Sequence, residues 1–335
     1  MKEELNVRIA IDAMGGDHAP SLIVQGALEA AAEWKDIQLV LVGDSTQITP
    51  LLQGQSLANV SVEHAEEVIG PDEEPVKAVR RKKNSSMVIA GQLVRDGHAD
   101  AMISAGNTGA LMTTGLLVVG RMAGIERPGL AQLMPTMDDV GVLALDLGAN
   151  MDSKPEHLLQ YARIGSIYRN KVDGISAPKV GLLNVGTEDR KGNELTKAAF
   201  ELLEASSLNF IGNVEARDVL QRNCDVLVCD GFAGNIMLKA MEGTAGTIMR
   251  TLKAEFNRSM LTKAAGAVMM KGLRQFGRKM DYKEHGGALL LGVNGLVVKG
   301  HGSSDARAIK NAIRQTRNAL ISNVTTYMAN EISGK

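Results

Sequence analysis

The sequence predicts an α/β fold, a mainly parallel sheet covered by helices, and three observations carry that expectation. Short β-branched runs alternate with longer helical patterns almost from end to end, the order that parallel strands with crossover helices require. Polar loops containing glycine recur where the strands end. Aromatic residues are only 3% of the 335 while glycine numbers 36, so the core must be aliphatic and many turns must run through glycine.

In chain order, VRIAID (7 to 12) reads as a strand, followed by a glycine loop and a helix from about Ser21 to Trp34. IQLVLVG (37 to 43) is the next strand, and ADAMISA (99 to 105) repeats the form, feeding GNTGA and an apolar helix to about Gly124. LAQLMPT (130 to 136) and GVLALDL (141 to 147) are joined by a short acidic connection, which suits an antiparallel hairpin inside the larger sheet. A helix over 155 to 170 follows Lys154-Pro155, a proline well placed for a helix start. KVGLLNV (179 to 185), LNFIGN (208 to 213) and CDVLVCD (224 to 230) resume the alternation. ALLLGV (288 to 293) and LVVKGH (296 to 301) form a last strand pair, and Ser303 to Asn330 reads as one long closing helix with Ser or Asp at its start. No linker, low-complexity tract or repeat interrupts the chain, so residues 1–335 read as one catalytic unit with at most two lobes.

A 44% hydrophobic, 22% charged chain is globular in composition. No apolar run approaches the roughly 20 residues that span a bilayer, and MKEELNVRIAID has neither a basic n-region nor a long apolar h-region, so a cytosolic location is expected. Cys224 and Cys229 lie on one strand, separated by roughly 16 Å and directed to opposite faces, which excludes a disulfide between them. They have no metal-ligand spacing, and no metal site is expected. The net charge of −1 carries no nucleic-acid signature, yet residues 250–283 hold nine Lys or Arg against Glu255 and Asp281. That segment is suited to something anionic.

Ligands of open α/β sheets bind beyond the carboxyl ends of strands, where glycine permits close backbone approach and helix N-termini favour anions. Six loops of that kind recur: DAMGGDHAP (12 to 20), SAGNTGA (104 to 110), DLGANMDSKPEH (146 to 157), NVGTEDRKGNE (184 to 194), DGFAGN (230 to 235) and HGSSDA (301 to 306). Any one of them reads as an ordinary βα turn; together they converge on one polar character. The first offers Asp12, Gly15, Gly16 and Asp17 as phosphate or substrate contacts, and the second Ser104, Gly106 and Thr108. Asn150, then Asn184, Gly186 and Thr187, come from the next two; Asp230, Gly231 and Gly234, then Ser303 and Ser304, come from the last two. GxxxxGK[ST], GxGxxG after the first strand, GxSxG and HExxH are all absent, which disfavours ATP use, hydride transfer and an acyl-serine, and no cofactor is expected.

Quoted together, IAIDAMGGDHAP, EPVKAVRRKKNSSM (74 to 87), SAGNTGALM, LGAN with KPEHL, GLLNVGTEDRKGNELTK, FIGNVEARD, DGFAGN and HGSSDARA resemble the phosphate acyltransferase family of bacterial phospholipid synthesis, the PlsX type, in order across nearly the whole chain. The resemblance implies transfer of a long-chain acyl group from acyl carrier protein to inorganic phosphate. It also implies a Rossmann-like αβα sandwich related to isopropylmalate dehydrogenase and phosphotransacetylase, a homodimer, peripheral membrane contact, and a downstream glycerol-3-phosphate acyltransferase.

The chemistry suits the loops independently, because phosphate is the nucleophile and a thioester is already activated. In that reading SAGNTG and DGFAGN bind phosphate, Asn107 or Asn235 donates to the tetrahedral oxyanion, and Lys191 supplies positive charge. His18 or His301 polarises the phosphate or protonates the departing thiolate. An acidic carrier protein calls for a basic docking surface, and Arg80, Arg81, Lys82 and Lys83 form a cluster. Within 250–283, Leu252, Phe256 and Met260 recur every four residues and an apolar stripe continues between cations to Phe276, with Gly266 and Gly272 as expected bends. This basic amphipathic arm can lie on anionic lipid, dock carrier protein or pack against its twin. The family resemblance favours a dimer arm whose tip meets lipid through Leu261, Lys263, Val268, Met269 and Lys271.

Overall fold

The computed structural model describes residues 6–52, 57–279 and 286–333. The first part of the chain runs β1 (Val7–Asp12), α1 (Ser21–Glu33), β2 (Ile37–Gly43), α2 (Ser45–Leu52), β3 (Val60–His64), α3 (Pro75–Arg81), α4 (Ser86–Arg95), β4 (Ala101–Ser104) and α5 (Thr108–Thr114), which continues into a π-helical turn at Gly115–Val119. Next come β5 (Gly129–Met134), β6 (Val142–Leu145), α6 (Pro155–Asp173), β7 (Val180–Asn184), α7 (Glu194–Glu204), β8 (Phe210–Glu215), a 3-10 turn (Ala216–Gln221), β9 (Val226–Val228), and the helices α8 (Gly231–Phe256) and α9 (Met260–Lys279). The chain closes with β10 (Ala288–Leu291), β11 (Leu296–Lys299), α10 (Ala306–Ile321) and α11 (Val324–Ser333).

The described strands form one sheet in the order β3-β2-β1-β4-β11-β10-β5-β6-β9-β7-β8. From β3 to β11 all neighbours are parallel, and so are β6, β9, β7 and β8. Between them β10 is antiparallel to both β11 and β5, and β5 is antiparallel to β6. The two parallel halves therefore run in opposite directions. Strand residues alternate between two covering layers, as a sheet buried on both faces requires. Ile9, Ile11, Leu143 and Leu145 join the core under α1, α6 and α10, while Ala10 packs with α4 and α5 and Ala144 with α8. This is the α/β sandwich that the sequence predicts.

Both expected strand pairs are antiparallel, β5 with β6 and β10 with β11. Pro155 opens α6, which ends at Gly174 in the left-handed region at φ 71°. Other expectations change. The closing helix is two helices, because Asn323 takes a left-handed φ of 53° between α10 and α11. The segment after β9 is helical from Gly231, so the arm is a hairpin of α8 and α9 with its turn at 257–259, and α9 passes through Gly266 and Gly272 without a break. A Cβ at Gly266 would lie 3.0 Å from Phe256 Cδ1, so that glycine serves helix packing rather than a bend. Residues 280–283 of the basic segment lie outside the described residues. β9 has only three residues, and Cys224 and Cys229, both free, are buried beyond its ends in the same cluster rather than on opposite faces.

Candidate active site

Loops from both halves meet in a cleft of about 360 Å³ over the central strands. Leu130 and Gln132 of β5, Ala288 of β10 and Lys299 of β11 lie at its base. Thr108, Gly300, His301, Gly302 and Ser304 line one side, and Gly148, Asn235, Lys239 and Glu242 the other.

The first side is framed by Asp12, a buried carboxylate at the end of β1 that accepts from Ser104 Oγ at 2.6 Å and from the Met14 N–H at 3.2 Å. Burial pushes its carboxyl above the usual range against the pull of these hydrogen bonds. Ser104 Oγ in turn accepts from the Gly106 N–H at 3.0 Å. Gly15 fills the remaining space: a Cβ there would sit 2.5 Å from Asp12 Oδ2 and 2.7 Å from the Gly106 nitrogen. Beyond Gly16, the Asp17 N–H donates to the Gly302 carbonyl at 2.8 Å, tying the first loop to the last. In that last loop Asp305 caps α10 through the Ala308 N–H at 2.8 Å. His301 Nδ1 lies 2.9 Å from Ser303 Oγ and accepts from the Ser303 N–H at 3.2 Å, which leaves the proton of the neutral ring on Nε2.

The opposite side depends on Asp146, fully buried after β6. Its carboxylate accepts from the N–H groups of Leu130, Gly148, Ala149 and Asn150 at 2.7 to 3.2 Å, and burial pushes its pKa up against them. Asn150 Nδ2 donates to Asp146, to the Pro128 carbonyl and to the Tyr161 hydroxyl, so this amide holds the loop. The loop at the start of α8 packs directly on it: the Gly231 N–H donates to the Asn150 carbonyl, and a Cβ at Gly234 would lie 2.1 Å from the Asp146 carbonyl oxygen. Asp230 caps α8 through the N–H groups of Phe232 and Ala233. From there Asn235, Lys239 and Glu242 fall on one helix face and enter the cleft.

The cleft is cationic at its base. Lys299 is withdrawn from water and faces Lys239; burial first and the second ammonium next lower its pKa to about 8, with Asp12 and Asp17 opposing. Its Nζ donates to the Gly300 carbonyl. Lys239 pairs with Glu242 at 2.8 Å, while the Asn235 amide makes no hydrogen bond among the described residues. Ammonium groups, an amide, hydroxyls and a histidine facing one small space can bind a phosphate-sized anion and donate to a developing oxyanion.

Of the sequence candidates, Thr108, Asn235, His301 and Ser304 line the cleft. Asp12, Gly15, Gly16, Ser104, Gly106, Asn150, Asp230, Gly231 and Gly234 shape the loops behind it, and Ser303 orients His301. Asn107 is turned away: its Oδ1 caps α5 through the Ala110 N–H and its Nδ2 donates to the carbonyls of Gly70, Pro71 and Glu73. His18 and the Asp17 side chain are exposed and are not among the lining residues. The 184–194 loop is likewise absent from the lining: Asn184 donates to Asn213 and to the Lys191 carbonyl, Lys191 is exposed 3.8 Å from Glu188, and Gly186 and Thr187 belong to the same turn.

Lys299, Lys239, Gln132 and Asp146 were not singled out from the sequence. Gln132 and Asp146 each break an apolar strand, and Lys239 follows Asn235 by four residues, so their positions were signals; Lys299 ends a strand whose side-chain direction the pattern leaves open. At the end of α3 and just beyond it, Arg80, Arg81 and Lys83 are exposed, whereas Lys82 is tied to Glu73 at 2.6 Å and to the Val68 carbonyl. On α9, Leu261 and Val268 are 85% and 87% exposed, Met269 and Lys263 are also exposed, and the Lys271 side chain lies outside the described residues.

An α/β sandwich with a cationic, amide-lined cleft framed by glycine loops is the architecture of an enzyme that handles an anionic substrate. Residues 7–327 match the family model described as fatty acid synthesis protein. The chain is 59% identical over 307 residues to a phosphate acyltransferase of Brevibacillus brevis, covering 92% of each, and 51% identical over 327 residues to that of Bacillus subtilis, covering 97% of this chain and 98% of the relative. The chain belongs to this phosphate acyltransferase family and is an enzyme of acyl transfer to phosphate. Among solved structures, a phosphotransacetylase from Streptococcus pyogenes superposes with a TM-score of 0.60 at 17% identity, covering 96% of both chains. A branched-chain phosphotransacylase from Enterococcus faecalis V583 gives 0.56 at 14%, covering 94% of this chain and 99% of that one. At such identities the likeness is one of fold.

Proposed function

We propose that the protein transfers a long fatty acyl group from the thioester of acyl carrier protein to inorganic phosphate, releasing acyl phosphate for phospholipid synthesis by a glycerol-3-phosphate acyltransferase. The observation that carries the chemical part is that half-buried Lys299 and the Asn235 amide line one cleft. Hydrogen phosphate binds to Lys299 and Lys239, with the hydroxyls of Thr108 and Ser304 and His301 Nε2–H as further donors. A phosphate oxygen attacks the thioester carbon, and the Asn235 amide donates to the oxyanion that forms. Collapse breaks the C–S bond, and the proton lost by hydrogen phosphate leaves with the carrier thiolate, so charge balances without a protein nucleophile. The scheme uses no side chain of His18, Asn107 or Lys191, none of which is among the residues lining the cleft.

Two further features support the cellular setting. The exposed cations Arg80 and Arg81 end α3 and Lys83 follows it; α3 packs against α5 and so lies beside the cleft wall at Thr108, and these cations form a docking face for an acidic carrier. Leu261, Val268 and Met269 are exposed among cations on α9, which suits contact of a dimer arm with an anionic membrane surface. Among the described residues no helix is long and apolar enough to cross a membrane. The test is to supply palmitoyl-carrier protein and palmitoyl-CoA in parallel with phosphate and to trap acyl phosphate with hydroxylamine. The carrier thioester is expected to be the better donor; preference for the CoA thioester sinks the carrier reading.

A further inference from the structure

Gln132 lines the cleft, yet the chemistry above gives it no part. It stands in β5 among Leu130, Ala131, Leu133 and Met134, in a strand covered on both faces, where apolar side chains are the rule. Gln132 is only 9% exposed, and its amide has no hydrogen-bond partner among the described residues. A buried amide left unpaired costs free energy, so one that faces a cavity is satisfied by what the cavity holds. Strand register sets it beside the cationic base. Ala288 of β10 pairs with Lys299 of β11, and Leu289 pairs with Ala131, which brings Ala288 opposite Gln132; on its other side Gln132 pairs with Ala144 of β6. Residues opposite one another in a sheet project to the same face. Lys299 and Gln132 therefore rise together, two strands and roughly 10 Å apart at Cα, with the Ala288 methyl between them. The gap over Ala288 has an ammonium on one edge and a neutral amide on the other, and an anion of phosphate size can take a hydrogen bond from each.

We propose that the Gln132 amide donates to the phosphate held by Lys299, gripping it from the edge opposite the ammonium so that a free oxygen is aimed at the thioester carbon beside Asn235. The proposal rests on acyl transfer to phosphate in this cleft and adds the residue that aims the nucleophile. Gln132→Met tests it, because methionine keeps the length of an unbranched side chain and removes both polar groups. At saturating palmitoyl-carrier thioester the variant raises the KM for phosphate roughly 10- to 100-fold, the worth of a hydrogen bond to a charged group, while the KM for the thioester stays level. Methionine suits an apolar strand, so the thermal midpoint without phosphate stays level or rises. The upward shift that phosphate gives the unaltered protein shrinks in the variant. An unchanged KM for phosphate overturns the proposal. So does a rise confined to the KM for the thioester, which assigns the amide to the acyl donor. Should Gln132→Met fail to fold, Gln132→Asn withdraws the amide by one methylene and gives the same reading: a raised KM for phosphate upholds the contact and a level one overturns it. If the unaltered protein makes no acyl phosphate from any donor, the functional reading fails separately. The contact is then judged by the thermal shift with inorganic phosphate alone: a shift lost in Gln132→Met upholds it, whereas an unchanged shift, or none in the unaltered protein, overturns it.

Discussion

At the end of β11 the Lys299 ammonium is held out of water opposite Lys239, and both effects favour its neutral form, with a pKa of about 8. It is charged below that value, so its attraction for phosphate is present at neutral pH and lost as pH rises through about 8; bound phosphate pushes the pKa back up. Initial rates against phosphate concentration across this range, expressed per hydrogen phosphate dianion, are expected to show kcat/KM level up to about pH 8 and falling above it. Lys299→Met removes that alkaline limb and raises the KM for phosphate roughly 10- to 100-fold, the worth of one charged hydrogen bond. The two asparagines separate chemistry from architecture. Asn235→Ala lowers kcat by roughly 10²- to 10³-fold with little change in thermal midpoint, as expected for loss of an oxyanion donor. Asn107→Ala chiefly lowers the thermal midpoint, because it removes a helix cap and the ties to the 70–73 loop. In the sequence these residues look alike, each an Asn in a glycine loop before a helix. What distinguishes them is whether the neighbouring chain supplies acceptors for the amide, and the 70–73 loop that does so for Asn107 is 36 residues away.

Elements with strong periodicity or end signals were legible in the sequence: both hairpins, the Pro155 start of α6 and the strands that precede the loops. The stretch between β2 and β4 was not assigned. There β3 is a half-exposed edge strand and α2 contains Pro50, so neither shows a full apolar period. The arm was read as an amphipathic helix or hairpin with bends at Gly266 and Gly272 because glycine marks bends in isolation, whereas α9 runs through both and Gly266 packs on Phe256. Close contact between elements gives a stability prediction. Gly234→Ala forces a methyl to 2.1 Å from the Asp146 carbonyl and destabilises by about 1–3 kcal/mol or more, measured by urea unfolding. The exposed cations at the end of α3 give a binding prediction. Reversing Arg80, Arg81 and Lys83 to Glu raises the KM for the carrier thioester several-fold and flattens its dependence on salt, while the KM for phosphate stays level.

At the scale of the whole molecule, six similar loops suggested one cleft at a common edge of a parallel sheet. The halves instead run in opposite directions, and loops from β4 and β11 on one side and β6 and β9 on the other reach the space over the central strands together with Gly286 and Gly287 ahead of β10, with the β1 loop buttressing them. The β7 loop was indistinguishable in sequence because strand order is not written in local composition. This architecture brings phosphate and thioester together directly, and one measurement bears on that claim most closely. Carrier thiol release and hydroxylamine-trapped acyl phosphate are followed together, with and without phosphate, at enzyme concentrations comparable to the donor. Direct attack predicts equal amounts of thiol and acyl phosphate and no thiol release without phosphate, whereas a burst of thiol stoichiometric with enzyme in the absence of phosphate reveals an acyl-enzyme and contradicts the mechanism.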